Sequence, residues 1–169
     1  MFIYIIISII VIYILINIYI YLLKVKIERF EKQILNNFKE KNNKIASIYE
    51  VTKGHISKHN EVFDEAKKLK RKDFSENTFN INLIGKYRTN RLIHKELDFI
   101  FRVCNKNPKL NNNHKYLYIR DSIVNISENI WEDLSLYKNI IIKYNNIIFL
   151  NKITILWLLL PFNKKESMH

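Results

Sequence analysis

The sequence predicts an all-α protein in which an N-terminal transmembrane helix continues into a long helix of an antiparallel, up-and-down helical bundle. Three observations lead to this fold class. The 169 residues include only two Gly and two Pro, the chain opens with a long uncharged apolar run, and later apolar residues recur in steps of three and four. Sandwiches, barrels and doubly wound sheets need many tight turns, so the scarcity of Gly and Pro argues against them.

The apolar run from Phe2 to Leu23 carries no charge and is interrupted only by Ser8 and Asn17. As a helix rising about 1.5 Å per residue it reaches about 33 Å, enough to cross a hydrocarbon core of about 30 Å. A single strand in lipid would leave its backbone groups unpaired. A cleaved signal peptide fits poorly, because the run has neither a basic region before it nor a small-residue cleavage site. We therefore assign residues 1–23 to a transmembrane anchor.

The charges beside the anchor predict its orientation. Nothing basic precedes the run, whereas Lys24, Lys26 and Arg29 follow it at once. By the positive-inside rule, the N-terminus is expected outside and residues 24–151 are expected in the cytoplasm. Asn17 could hydrogen-bond to a second copy of the helix, so a homo-oligomer stays open as an alternative to a lone anchor.

The first apolar stripe predicts one helix, continuous with the anchor and ending near Leu69. The period holds if Lys41 and His59 are counted as polar occupants of the same face. Asp73 or Ser75 is then expected to cap the next helix. The stripe consists of Ile27, Phe30, Ile34, Phe38, Ile45, Ile48, Thr52, Ile56, Phe63 and Ala66.

Two further stripes complete the predicted bundle of three antiparallel helices, residues 24–151. The second ends at the breaker Asn105–Pro108, and the third begins after Asn113. The second stripe is Ile84, Tyr87, Ile93, Leu97, Ile100 and Cys104. The third stripe is Ile123, Ile126, Ile130, Leu134, Tyr137, Ile141, Tyr144 and Ile148.

Residues 152–169 form an apolar and basic C-terminal tail. Its apolar part, Ile153–Leu160, is too short to span a bilayer and ends at Pro161. If three helices alternate in direction, Asn151 is expected far from the bilayer. The tail would then fold back over helix one or dock into a partner through Trp157, and this geometry disfavours a third option, a segment lying on the membrane.

The sequence offers no enzyme signal. His55 and His59 have the spacing of two metal ligands on one helix, but neither a third His nor a Cys lies nearby, so we interpret them as surface or boundary residues. Cys104, the one cysteine, is expected to be a small buried hydrophobe. We predict no catalytic residue, no cofactor and no metal site.

The net charge of +12 is compatible with anionic lipid or nucleic acid. Much of the Lys and Asn content is what A/T-rich codons would encode. Nucleic acid is disfavoured as a partner, because the basic residues show no interleaved aromatics and no recognisable reading helix. The expected partners are therefore the lipid bilayer and an unidentified protein, with the chain acting as a non-enzymatic scaffold or adaptor. A lipid- or nucleic-acid-binding module is the alternative.

From Lys24 to Asn151 the chain resembles the LemA family of small membrane-anchored bacterial proteins. Asn107–Leu110 resembles the family's aromatic-Pro-x-Leu turn, and Glu128–Ile130 resembles its acidic-Asn-Ile step. Tyr137 with Tyr144–Asn145 is similar to its paired Tyr-Asn repeats. Val51–Gly54 is similar to its Val-Lys-Gly element.

The chain also departs from the LemA pattern. Ala46 stands where the family usually has Pro, Lys138 replaces an Asn, and Asn151–Lys152 replaces Phe-Pro. The resemblance implies a cytoplasmic helical bundle anchored in a bacterial plasma membrane. It implies no catalytic residue, substrate or cofactor.

Overall fold

A computed structural model of the chain describes residues 2–75, 83–153 and Lys165. All regular structure in these ranges is α-helical, as the sequence predicts. Contacts divide the chain into unit 1, Met1–Gln33 with Asp133–His169, and unit 2, Ile34–Glu132. The helices in the described ranges are α1 (Phe2–Thr52), α2 (His59–Ser75), α3 (Leu83–Cys104), α4 (Pro108–Asn111) and α5 (His114–Ile153).

The prediction of one helix running to Leu69 is wrong, because α1 ends at Thr52 and residues 53–58 form a turn. Gly54 has φ +81° and Lys58 has φ +56°, both in the left-handed region that ends helices. The His55 amide donates to the Thr52 carbonyl oxygen at 3.1 Å and closes the turn. The apolar period continues across this break because α2 folds back and buries its apolar face in the same core.

The second predicted boundary is also displaced. Helix α2 continues through Ser75, so Asp73 and Ser75 lie within α2 and do not cap the next helix. Helix α3 ends at Cys104, where the breaker was predicted. Beyond it, the Asn107 side chain caps α4 by accepting from the Lys109 amide at 3.0 Å.

Within unit 2, α2 packs antiparallel to α1, and α5 packs antiparallel to α3. Thr52 meets His59 at 3.0 Å and Tyr49 meets Asn60 at 2.7 Å, so α2 returns along α1. Between α3 and α5, the Tyr116 hydroxyl lies 3.3 Å from Asn105, near the end of α3. The core draws on all five helices through Ile45, Ile48, Phe63, Ala66, Ile93, Leu97, Ile100, Cys104, Leu110, Tyr116, Ile119 and Ile123.

Burial confirms most of the three stripes. Every member of the third stripe is buried. Ile84 and Tyr87 of the second stripe are half-buried, as are Phe30 and Ile56 of the first. The other members of both stripes are buried, and so is Lys41.

In unit 1, α1 and α5 lie antiparallel. Gln33 donates to Asp133 at 2.9 Å, and the Tyr137 hydroxyl donates to Glu31 at 2.8 Å. As the residue number falls along α1, that of the α5 partner rises. The facing apolar residues of α1 are Ile20, Leu23 and Ile27, all buried. The N-terminal part of α1 is long and apolar enough to cross a membrane, and its large apolar side chains are mostly exposed.

This direction overturns the expectation that α5 ends far from the bilayer. The break at residues 53–58 divides the first predicted helix into α1 and α2, so three long helices precede α5 instead of two, with the four-residue α4 in the connection. Within unit 1, α5 therefore runs back along α1 toward its apolar stretch. The expected fates of the tail and the role of Trp157 concern residues 154–164, which lie outside the described residues.

The third stripe yields a stability prediction. We expect Ile130→Asp and Ile141→Asp each to lower the free energy of unfolding by about 4 kcal/mol, because a buried carboxylate is left without a partner. The exposed Ser135, on the same helix, supplies the control Ser135→Asp. Urea unfolding in detergent, followed by circular dichroism, measures all three. Similar losses in the three variants would contradict the assigned stripe.

Candidate functional site

The two histidines with metal-like spacing do not share a helix. His55 lies in the turn after α1, whereas His59 is the first residue of α2. The interpretation of both as positions on one helix is therefore wrong, and the left-handed Gly54 is the reason. Among the described residues, no group of three or more His, Cys, Asp or Glu side chains could hold a metal ion.

His59 instead fastens the turn between α1 and α2. Its Nε2 lies 3.0 Å from the Thr52 hydroxyl oxygen, and that hydroxyl donates to the Ile48 carbonyl oxygen at 2.8 Å. The imidazole packs against the rings of Tyr49 and Phe63, at centroid distances of 4.4 and 4.8 Å, and these two rings also contact each other at 5.4 Å. Burial lowers the pKa of His59, which favours the neutral ring in this contact.

Cys104 is buried at the end of α3, as its sequence setting predicts. Burial raises the pKa of its thiol to about 11. The thiol is therefore protonated at neutral pH and lacks the thiolate character that a nucleophile needs.

Lys41 is the most unusual ionisable group in the described core. Its side chain is only 1 % exposed, and burial lowers the pKa of its amine from 10.5 to about 8, with Asp98 acting in the opposite direction. Other polar side chains are buried on α1 and α3 of the same unit, namely Asn42, Lys86, Thr89 and Asn90. The sequence places Lys41 on the apolar face of its helix. The apolar period alone could not predict that the ammonium group of Lys41 is buried as well.

A groove of about 610 Å³ opens in unit 2 where the turn after α1 meets the connection between α3 and α4. Asn107 joins the two segments, since its Nδ2 donates to the His55 carbonyl oxygen. We call this the turn groove. Its lining residues are Gly54, His55, Ile56, Ser57, Val103, Lys106, Asn107, Pro108 and Lys109.

The turn groove combines an apolar floor with a basic rim. Ile56 and Val103 are half-buried side chains of the lining, and Lys106 and Lys109 are exposed. Lys58, next to the lining, pairs with Glu61 at 3.3 Å across exposed side chains, a contact that contributes little. The groove is thus suited to an acidic segment that also carries aliphatic side chains.

In unit 1, a second polar arrangement fixes Lys165 beside α1 and α5. The Asn145 side chain accepts from the Lys165 amide at 2.9 Å and donates to its carbonyl oxygen at 2.8 Å. The Lys165 ammonium lies 3.0 Å from Glu31, which also accepts from Tyr137. Desolvation, followed by this hydrogen bond to Glu31, raises the pKa of Tyr137. We call Glu31, Tyr137, Asn145 and Lys165 the Lys165 clamp.

Sequence reasoning missed both the turn groove and the clamp. The sequence pattern places Tyr137 and Asn145 in the third predicted helix. It contains no signal that connects them with Glu31, which precedes them by about a hundred positions. Gly54 was a usable signal for the groove, because a glycine beside a helix end often adopts the left-handed conformation.

Comparison of this chain with protein-family models, with curated proteins and with solved structures found no match.

Lys41 gives a prediction with a defined pH dependence. Because the folded-state pKa lies below the ordinary value, the unfolded chain binds more protons between about pH 8 and 10.5, and stability rises across that window. We expect Lys41→Met to increase the free energy of unfolding at pH 7 by about 3 kcal/mol. The gain should shrink as the pH rises through the same window.

The matched control is Lys39→Met, an exposed position on the same helix, which should change stability little. Denaturant unfolding at several pH values measures both variants. A loss of stability in Lys41→Met at pH 7 would show instead that the ammonium makes a favourable interaction.

Proposed function

We propose that this protein is a non-enzymatic membrane-anchored scaffold or adaptor of the LemA type. The observation that supports this most is that α1 combines an exposed apolar stretch with residues of a folded core. Residues of α1 near the N-terminus are apolar and exposed, whereas Ile45 and Ile48 of the same helix belong to the core of unit 2. A helix of this kind connects an apolar, membrane-compatible stretch with residues of a folded helical core.

The charges beside the apolar stretch support a cytoplasmic position for unit 2 in a bacterial plasma membrane. Lys24, Lys26 and Arg29 are exposed and follow the apolar stretch directly. The positive-inside rule then leaves the N-terminus outside, with α1 as a single crossing.

The turn groove is the best candidate for contact with a protein partner. Its apolar floor gives a partner side chain area to bury, and its lysine rim complements acidic residues. An adaptor needs such a surface, and it needs no convergent acid-base group.

A specific observation favours anionic lipid as a second ligand class. Lys138 and Lys143 of α5 are exposed in unit 1, as are the three cations that follow the apolar stretch of α1. Cations near an anionic leaflet contribute about 1 kcal/mol each to membrane attraction. Nucleic acid is a less favoured ligand class than anionic lipid.

Orientation is tested by cysteine accessibility in intact cells. Lys53 is exposed in the turn after α1, while the native Cys104 is buried and should not react. We expect Lys53→Cys to be protected from a membrane-impermeant maleimide and to react after the membrane is permeabilised. Labelling of Lys53→Cys from outside intact cells would contradict a cytoplasmic unit 2.

Partner binding is tested by crosslinking from the turn groove in native membranes. A photoreactive maleimide on Ser57→Cys should yield one discrete protein adduct, because Ser57 lines the groove. Asn125→Cys, an exposed position on α5 of the same unit, is the control and should not give that adduct.

The adduct should also disappear when Lys106 and Lys109 are both changed to Glu, since the basic rim is then reversed. The same adducts from Ser57→Cys and Asn125→Cys, or none from either, would argue against a partner at the groove. Adducts with nucleic acid that moderate salt removes would favour the alternative module.

A further inference from the structure

Two exposed apolar side chains extend the turn groove along α3. Leu92 is 49 % exposed and Phe99 is 43 % exposed, and both belong to unit 2. Phe99 lies one helical turn before Val103, a half-buried residue in the lining of the groove. Residues separated by four or by seven positions share one face of a helix. Leu92, Phe99 and Val103 therefore form a line about 17 Å long that ends in the groove, and we call this line the α3 strip.

A row of cations runs beside the α3 strip. Arg88, Lys95 and Arg102 are exposed and recur every seven residues, so they lie along one edge of the strip. Within the part of the chain that the structure describes, no acidic side chain forms an ion pair with any of the three. The row leads to Lys106 and Lys109, the basic rim of the turn groove. An apolar line and a positive line thus follow α3 side by side and end at the same groove.

The spacing of these two lines fits a helical partner. Helices that pack along each other repeat their contacts every seven residues, with apolar side chains in the seam and charges at its edges. An extended partner would instead place equivalent side chains at every second residue. Glu96 lies on the edge of the α3 strip opposite the cations. Carboxylates of a partner helix are therefore attracted to one edge and repelled from the other, which fixes the rotation of that helix about its axis.

The charges of this surface argue against a second copy of the chain as its occupant. A two-fold contact would use the same surface of both copies, and each copy would bring three cations of the row against the one carboxylate of Glu96. The resulting excess of positive charge is unfavourable at an interface. A bilayer also fits less well, because a membrane surface has no protruding side chain to place in the concave turn groove at the end of the strip.

We propose that the α3 strip and the turn groove together bind an amphipathic helix of a partner protein, in which acidic residues recur every seven positions beside apolar ones. This inference rests on the proposed function, since it takes the turn groove as the partner surface and assigns the partner its chemistry. The carboxylates of the partner lie along Arg88, Lys95 and Arg102. An apolar side chain near one end of the partner helix enters the groove beside Val103.

A synthetic helix of this design tests the chemistry directly. The probe is a fluorescent peptide of about 21 residues, or three heptads, with Leu and Glu on adjacent edges of one face. Fluorescence anisotropy measures its binding to the full-length chain in nanodiscs of phosphatidylcholine, with empty nanodiscs as the background. We expect saturable binding that Phe99→Ala and Lys95→Glu each weaken by about tenfold, because the first removes apolar contact and the second reverses a charge in the row.

Matched controls lie on α5 of the same unit. Tyr118→Ala removes an exposed aromatic ring and Lys115→Glu reverses an exposed charge, and neither should change the affinity for the peptide. A second peptide with Lys in place of each Glu should not bind. Equal binding of both peptides, no saturable binding, or unchanged affinity in Phe99→Ala and Lys95→Glu would overturn the proposal. Circular dichroism of each variant confirms that the helices are retained.

Crosslinking in native membranes separates this inference from the proposed function. A photoreactive maleimide on Phe99→Cys should give the same protein adduct as Ser57→Cys, and mass spectrometry of the crosslinked peptide should show acidic residues seven positions apart. An adduct from Ser57→Cys without one from Phe99→Cys would overturn the role of the α3 strip and leave the partner at the groove intact. No adduct from either would contradict the proposed function as well. Adducts of Phe99→Cys with a second copy or with lipid would assign the strip to those occupants instead and overturn the proposal.

Discussion

The reversal of the chain at residues 53–58 is the constraint on which the other features depend. Gly54 adopts a backbone conformation that L side chains rarely accept, which ends α1 and directs α2 back along it. Thr52, His59 and the rings around them then hold the turn. Because this reversal adds a helix, α5 runs antiparallel to α1 in unit 1 and ends beside the apolar stretch. With one long helix fewer before it, α5 would run parallel to α1, and the Lys165 clamp could not form in this arrangement.

The two units differ in how they accommodate buried polar side chains. In unit 1, the polar side chains between the helices pair directly, as Gln33 does with Asp133 and Tyr137 with Glu31. In unit 2, Lys41 is buried with its pKa lowered, so its charge is a cost to stability at neutral pH. A core that retains such a lysine has given up stability that an apolar residue would supply. Asp98 opposes the lowering of the Lys41 pKa but does not cancel it.

The proposed scaffold function is compatible with the way in which the described apolar surface is buried. The stripes of α1, α3 and α5 are used to form the helical units, and the apolar part of α1 fits lipid. The turn groove is a surface suited to a further partner, with its basic rim and apolar floor.

The sequence alone determined the helical class, a stretch long and apolar enough to cross a membrane, the end of α3 and the burial of the entire third stripe. These features depend on local composition and on a period of 3.6 residues, both of which are readable along the chain. The tertiary structure decided the number of helices, the direction of α5, the turn groove and the Lys165 clamp. An apolar period cannot distinguish a continuous helix from two helices that bury the same face after a turn, so the stripe passed unbroken through Gly54. Pairs such as Glu31 with Tyr137 are distant in sequence, and their meeting depends on chain direction, which no local pattern records.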